Sequence, residues 1–205
     1  VRAWRGSWPK PFRYFSVFLI VTLAVELFAT WWKLSLHSTS YWNYKQSNLW
    51  IYNLYLLPQY LFYLYYFHET LISGRIKRNI KITTVVYATI TITNYLWGQK
   101  LHTLFNTYTV MAACLMISVL CIVFFFQVSN SVNILKPGSS PEIWIVSGMF
   151  IFHFCALPCF IFSNYLTVKY PTLAYNIFIY VLQFFNIIMY SFYLIAFLCK
   201  PHFQK

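Results

Sequence analysis

Apolar residues run along the chain in six long segments that short polar connections separate. Each segment has the length, or nearly the length, that a helix needs to cross a hydrocarbon core of roughly 30 Å. The third is the shortest, and its alternating "TTVVYATITIT" would indicate a strand in a soluble protein. A lone strand would leave its backbone unpaired in lipid, so a helix is favoured there too. The predicted spans are residues 12–32, 49–67, 82–97, 108–127, 142–164 and 173–198.

This pattern predicts an all-α fold, a single polytopic transmembrane bundle of six helices over residues 1–205. The basic start and the long first apolar segment, which lacks a small-x-small cleavage site, favour a retained span over a signal peptide. Before the fifth span, Ser140 is the expected N-cap and Pro141 the first helical residue. No connection is long enough for a soluble domain, so we expect the function to lie in the bundle or its short rims.

Polar and aromatic side chains recur at steps of three or four residues in three of the spans, which places each set on one helix face. The stripes are Tyr52, Tyr55, Gln59, Tyr63 and Tyr66 in the second span; Thr84, Tyr87, Thr91 and Asn94 in the third; and Asn176, Tyr180, Gln183, Asn186, Tyr190 and Tyr193 in the sixth. One interpretation is that the stripes converge on an internal cavity with hydrogen-bonding walls. The other is that they form hydrogen bonds between helices, each worth about 1 kcal/mol or less.

Two ionisable residues lie deep within spans. Glu26 is roughly 10 Å from the outer edge of the first span at 1.5 Å per residue, and it is the only acid well inside a span. A carboxyl group in a membrane is a candidate functional group, either protonated or paired. His153 in the fifth span is the expected titratable partner, and the alternative for it is a neutral imidazole bonded to a neighbouring helix. The candidate ligand-binding residues are therefore Glu26, Tyr55, Gln59, Tyr63, Tyr87, Asn94, His153, Gln183, Asn186 and Tyr190.

Composition supports the membrane assignment, because 60% of the 205 residues are hydrophobic and only 9% are charged, against about a quarter charged in soluble domains. The formal net charge of +12 does not indicate nucleic-acid binding, since the basic residues lie in short runs between apolar segments. The positive-inside rule places both termini in the cytoplasm. Eleven basic residues lie on the cytoplasmic side and four on the other: Arg2, Arg5, Lys10, Arg13, Arg75, Lys77, Arg78, Lys81, Lys136, Lys200 and Lys205 against Lys33, Lys45, Lys100 and Lys169.

Residues for catalysis or for cofactor binding are scarce. The chain has no Asp, and its three acids are Glu26, Glu69 and Glu142. It has no glycine-rich phosphate loop, no His-Glu-x-x-His and no nucleophile elbow, and no lysine lies mid-span. In "HFCALPC", Cys155 and Cys159 are one turn apart, but His153 points elsewhere on the helix. We therefore predict no enzyme activity, no metal and no cofactor, and we expect the five cysteines to be free thiols.

The second and fifth spans resemble each other, with "LLPQYLFYLYY" matched by "ALPCFIFSNYL". Each is the middle helix of a three-helix half, which is compatible with the 3+3 inverted repeat of many transporters. Pro58-Gln59 is similar to the signature of PQ-loop transporters, although the second half has Pro158-Cys159 instead.

A broader resemblance covers nearly the whole chain. The strings "NLWIYNLYLLPQYLFYLYYF", "LFNTYTVMAACL", "PEIWIVSGMFIF", "LPCFIFSNYL" and "FFNIIMYSFYLIAFLC" resemble an uncharacterised family of small multi-pass bacterial membrane proteins. The resemblance implies a bacterial cytoplasmic (inner) membrane protein and supplies no catalytic residues.

Two functions fit these features. The first is a non-enzymatic sensory or ligand-binding membrane module, which binds a small or lipophilic ligand among the polar-aromatic stripes. It would pass a helix shift to a cytoplasmic or membrane signalling partner. The alternative is a small-solute transporter, proton-coupled through Glu26 and built from two inverted three-helix halves. Either protein has the lipid bilayer as its first partner.

Overall fold

The structure, a computed structural model, describes residues 10–37, 48–98, 105–130 and 140–199, and no strand occurs in these ranges. The chain forms the long helices that the apolar segments predict, so the all-α prediction is confirmed. The elements are α1 (Lys10–His37), α2 (Leu49–Thr70), α3 (Gly74–Trp97), α4 (Thr107–Ser129), α5 (Pro141–Lys169), α6 (Pro171–Asn176), a π-helical turn (Ile177–Val181) and α7 (Leu182–Leu198).

Four helical segments within the described ranges are long and apolar enough to cross a membrane, which is fewer than the six predicted. They are Lys10–Ser35, Thr107–Ser129, Pro141–Ser163 and Pro171–Leu198, with mean hydropathies from 1.8 to 2.7. The other two predicted spans, α2 and α3, are helices of 22 and 24 residues. Tyrosines and Asn53 make α2 less apolar, and the basic residues at the start of α3 do the same there.

Most helix ends lie within three residues of the predicted ends, but α1 and α5 each end five residues later than predicted and α3 starts eight residues earlier. That helix begins at Gly74, after Ser73 in extended conformation, whereas the apolar pattern starts only at Ile82. The first turns of α3 hold Arg75, Lys77, Arg78 and Lys81, so the helix extends beyond its apolar part. Ser140 precedes α5 in extended conformation with Pro141 in its first turn, as predicted, but the Ser140 side chain forms no capping hydrogen bond.

The chain divides into two compact units, Val1–Thr109 and Val110–Lys205. In the first unit α2 packs against α1 and against α3. The Phe18 and Phe62 rings stack at 4.3 Å, and the Trp32 and Trp50 rings meet at 5.4 Å toward the other ends of these helices. Because late residues of one helix meet early residues of the next, α1 and α2 are antiparallel.

The second unit is held mainly by α5 packed against α7. Trp144 near the start of α5 contacts Phe192 near the end of α7 at a ring distance of 5.5 Å. Phe160 contacts Phe178 in the π turn at 6.1 Å, so the two helices are antiparallel. Gly148 permits a close approach, because a Cβ atom there would lie 2.9 Å from the Phe192 Cβ. Small residues at such interfaces let helix backbones approach in a membrane.

The sixth predicted span is not one regular α-helix. Its residues Ile177–Val181 form a π turn between α6 and α7, where the Leu182 N–H bonds to the Ile177 carbonyl five residues earlier. A π turn is wider than an α turn and rotates the faces on its two sides relative to each other. Asn176 and Tyr180 therefore do not continue the face of the polar residues on α7.

Candidate functional site

The tyrosine stripe of α2 faces α1. Tyr63 and Tyr66 are buried, with the Tyr63 ring 5.2 Å from Phe18 and the Tyr66 ring 5.4 Å from Phe15. Gln59, between them and the start of the helix, is half-buried. Aromatic pairs at these distances stabilise packing by about 0.5–1.5 kcal/mol beyond burial. Much of the stripe therefore forms the contact between α1 and α2.

The α3 stripe packs on a different face of α2. Tyr87 is buried and contacts Tyr60 edge-on at a ring distance of 5.9 Å, and Thr91 is fully buried. Tyr60 in turn contacts Tyr63 at 5.9 Å, which links the two faces through one ring. Among the described residues, the α2 stripe thus packs mainly against α1, whereas Tyr87 of the α3 stripe packs against Tyr60, which is not a stripe residue. Stripe spacing places residues on a face of a helix but does not identify the neighbour of that face.

Two polar pairs join α1 to α2 one helical turn apart. The Tyr52 hydroxyl donates to Oε2 of Glu26 at 2.9 Å. The Thr22 and Tyr55 hydroxyls lie 2.6 Å apart, and Thr22 also donates to the Phe18 carbonyl at 2.9 Å. Because Thr22 has a single proton and gives it to that carbonyl, Tyr55 is the donor in the pair.

Within its own unit Glu26 thus has Tyr52 as a partner, and the pairing with His153 stays a prediction. Glu26 lies in the first unit and His153 in the second. Thr22 and Glu26 are four residues apart on α1, and Tyr52 and Tyr55 are three apart on the antiparallel α2, so each pair spans about one helical turn. That spacing of about one turn on both helices was the signal in the sequence for this partner.

An apolar groove runs between α1 and α2 beside these pairs. It encloses about 370 Å³, and we refer to it as the α1–α2 groove. Its lining residues are Tyr14, Val17, Phe18, Val21, Tyr55, Pro58, Phe62 and Tyr65. Tyr55 belongs both to the groove wall and to the hydrogen bond with Thr22, so the groove has an aromatic body and a polar edge. Pro58 lies in this wall inside the continuous helix α2.

A second polar cluster joins α2, α3 and the start of α4. Oδ1 of the fully buried Asn53 accepts the Asn106 backbone N–H at 3.1 Å, and the Tyr95 hydroxyl donates to the Asn53 carbonyl. Asn94 donates through Nδ2 to the Thr109 hydroxyl at 3.1 Å. For Asn94 the structure thus favours the second interpretation, a hydrogen bond between elements.

The candidate residues of the second unit lie apart from one another. His153 is fully buried, and its Nδ1 lies 2.7 Å from the Met149 carbonyl one turn earlier, so this nitrogen carries a proton. On α7, Asn186 is half-buried on the packing face, whereas Gln183 and Tyr190 are exposed. The polar residues of α7 therefore lie partly on the face that contacts α5 and partly outside that face.

Of the ten candidate residues, Tyr55 lines the α1–α2 groove, and Glu26 joins the same two helices through its hydrogen bond with Tyr52. Within the described ranges no three His, Cys, Asp or Glu side chains are grouped as a metal site would need. The Cys159 thiol lies 3.8 Å from the Cys155 carbonyl, a contact within one helical turn.

Comparisons of this chain with protein-family models, with curated proteins and with solved structures give no match. The similarity to PQ-loop transporters and the resemblance to small multi-pass bacterial proteins stay predictions.

Proposed function

We propose that this protein is a six-helix protein of the bacterial inner membrane with both termini in the cytoplasm. At 1.5 Å per residue, α2 and α3 are about 33 Å and 36 Å long, which is sufficient for a hydrocarbon core of roughly 30 Å. The basic residues at the α2–α3 turn support the orientation. Several residues of the charge count lie outside the described ranges: Arg2, Arg5, Lys45, Lys100, Lys136, Lys200 and Lys205.

Its function is that of a non-enzymatic sensory or ligand-binding module for a lipophilic molecule. The α1–α2 groove carries this proposal, since its volume of about 370 Å³ falls within the usual range for small-molecule sites, roughly 300–1,000 Å³. Phe18 and Phe62 provide apolar contact area, and Tyr55 places a hydroxyl at one edge. An amphiphile would contact the aromatic wall with its apolar part and exchange hydrogen bonds with the Thr22–Tyr55 pair.

Binding at this site would change the contact between α1 and α2. The ligand would separate or draw together two helices that are joined through Glu26–Tyr52 and Thr22–Tyr55. A shift of that contact reaches the helix ends, because a helix transmits displacement along its axis. A cytoplasmic or membrane signalling partner would detect the shift at the cytoplasmic rim.

Photolabelling tests the site directly. The full chain in detergent is irradiated with a medium-chain alcohol that carries a diazirine, and labelled peptides are mapped by mass spectrometry. We expect labels on the α1 and α2 peptides that line the groove. Val21→Trp, which fills the groove, should remove most of this labelling, whereas Leu23→Trp at an exposed position outside the groove should retain it. Equal labelling of both variants would contradict the proposal.

A small-solute transporter is the second candidate. The division of the chain at Thr109 supports it, since each unit contains three of the predicted spans. Pro58 and Pro158 also lie inside the middle helix of the respective units. In proteoliposomes with a trapped pH-sensitive dye, a proton-coupled transporter acidifies or alkalinises the lumen when solute mixtures are added. Glu26→Gln should abolish that signal, and a sensory module should give no signal in either form.

A further inference from the structure

A second groove lies between α2 and α3, next to the turn that joins these helices. It encloses about 360 Å³, and we refer to it as the α2–α3 groove. Its lining residues are Leu61, Leu64, Tyr65, His68, Ile80, Lys81, Thr84 and Val85. Only Tyr65 also lines the α1–α2 groove, and none of the residues predicted to bind ligand lies in this wall.

The lining changes from apolar to polar along the groove. Leu61 and Val85 lie at one end, and His68 and Lys81 lie at the end nearest the α2–α3 turn. His68 follows Leu61 by seven residues, a rise of about 10 Å along α2. A molecule in this groove would therefore contact hydrocarbon with one part and a cationic group with the other.

The polar end is strongly basic. Lys77 and Arg78 precede Lys81 by one helical turn on α3, which places them on its side of the helix. Arg75 lies in the first turn, and Arg75, Arg78 and Lys81 are all exposed. The nearest acid, Glu69, contacts the His68 ring at 3.0 Å. The basic residues around this end thus outnumber the acids, and an anionic group would be attracted there.

We propose that the α2–α3 groove binds a phospholipid with an anionic headgroup, which places its phosphate near Lys81 and one acyl chain against Leu61 and Val85. Basic pockets between membrane helices on the cytoplasmic side bind such headgroups. The charge of the rim selects the anionic headgroup, and the apolar wall selects an acyl chain over a soluble anion. The inference rests on the proposed cytoplasmic position of the α2–α3 turn but not on a ligand in the α1–α2 groove.

Native mass spectrometry of the full chain tests this proposal. Delipidated protein is mixed with equal amounts of phosphatidylglycerol and phosphatidylcholine of the same acyl composition, and the retained lipid is counted. We expect preferential retention of phosphatidylglycerol. Lys81→Gln should lower that preference about fivefold, the effect of removing one cation near an anionic lipid. Lys10→Gln removes the same charge from the exposed start of α1, outside the groove, and should leave the preference unchanged.

A second pair of variants tests the acyl-chain part. Val85→Trp fills the groove and should reduce retention of both lipids, while Val86→Trp, exposed on α3 outside the groove, should not. Equal retention of the two lipids by the unchanged protein would overturn the proposal. So would equal effects of Lys81→Gln and Lys10→Gln, or of Val85→Trp and Val86→Trp. Circular dichroism of each variant verifies that it folds, and diazirine labelling of the α1–α2 groove reports on the other proposal separately.

Discussion

At the scale of single residues, Gly98 lacks a Cβ atom and so leaves room for a polar contact of Asn94. It follows the last residue of α3, and a Cβ atom at this position would lie 2.9 Å from the Asn94 carbonyl oxygen and would overlap the Asn94 side-chain oxygen. Asn94 holds Thr109 by a hydrogen bond of 3.1 Å. A larger residue at 98 would therefore displace the group that joins α3 to the start of α4.

We predict that Gly98→Ala lowers the free energy of unfolding by about 1–3 kcal/mol, the usual cost of overpacking. The measurement is the unfolding midpoint of the purified protein in mild detergent, followed by circular dichroism. Gly74→Ala is the matched control, because a Cβ atom at Gly74 would meet no atom within 4 Å. That variant should be neutral or more stable by about 0.5–1 kcal/mol. Equal stability of the two variants would refute the role given to Gly98.

From the sequence, Glu26 is expected to be either a neutral or a paired acid, and in the structure it accepts a hydrogen bond from Tyr52, which the sequence did not name as its partner. The pairing depends on which helices are neighbours, and one sequence does not contain that information. Asn94 was predicted as a ligand contact, yet it bonds Thr109, since an amide forms either interaction equally well.

At the scale of elements, the α5–α7 pair depends on a close approach at Gly148. A Cβ atom there would lie 2.9 Å from the Phe192 Cβ and 3.0 Å from the Met189 carbonyl. Lipid tails are as apolar as the side chains, so the hydrophobic effect does not drive helices together in a membrane. Membrane helices therefore associate largely by close packing. A separation of the two helices at this point would also weaken the Trp144–Phe192 ring contact, which lies one turn away.

Gly148→Ala should therefore destabilise the protein by about 1–3 kcal/mol through overpacking. Thermal unfolding in detergent, followed by tryptophan fluorescence, would report the loss. Ala112→Val enlarges an exposed side chain on α4 and should shift the midpoint little. If Gly148→Ala unfolded at the same temperature as the unchanged protein, the packing described here would be wrong.

Sequence patterns predicted most helix ends but missed two features of the elements. The start of α3 was predicted at Ile82, because lysine and arginine interrupt the apolar pattern, whereas the helix continues through them to Gly74. Backbone hydrogen bonding does not require apolar side chains. The apolar pattern therefore marks only the part of a helix that lies in lipid or in the protein core, and not its full length. The π turn left no signal, since Asn176 and Tyr180 fit the spacing of a regular helix.

At the scale of the whole molecule, the number of membrane crossings is the main prediction to test. Six crossings place the α2–α3 turn in the cytoplasm, whereas four would leave both α2 and α3 on the outer side. Ser73, exposed in this turn, is a suitable reporter. We expect Ser73→Cys, in a variant with the five native cysteines replaced by alanine, to react with an impermeant maleimide in inverted vesicles and not in spheroplasts.

The opposite labelling pattern would support four crossings and would remove the cytoplasmic position of the α2–α3 groove. A cysteine at residue 42, predicted to lie outside in both arrangements, is the control and should react in spheroplasts. Residue 42 lies outside the described ranges. The positive-inside rule predicts both termini in the cytoplasm and therefore an even number of crossings. It does not choose between four and six, since α2 and α3 are long enough to cross but contain many polar groups.

The π turn at Ile177–Val181 determines where this part of the chain can lose a residue. It holds one residue more than a regular α-helix needs over the same rise, as the bond from Leu182 to Ile177 demonstrates. Deletion of a single residue there would restore ordinary helix geometry while Ala174 before it and Leu182 after it retain their buried positions. We therefore expect deletion of one residue to be tolerated at this turn, although a deletion elsewhere in α5 or α7 would rotate a whole packing face.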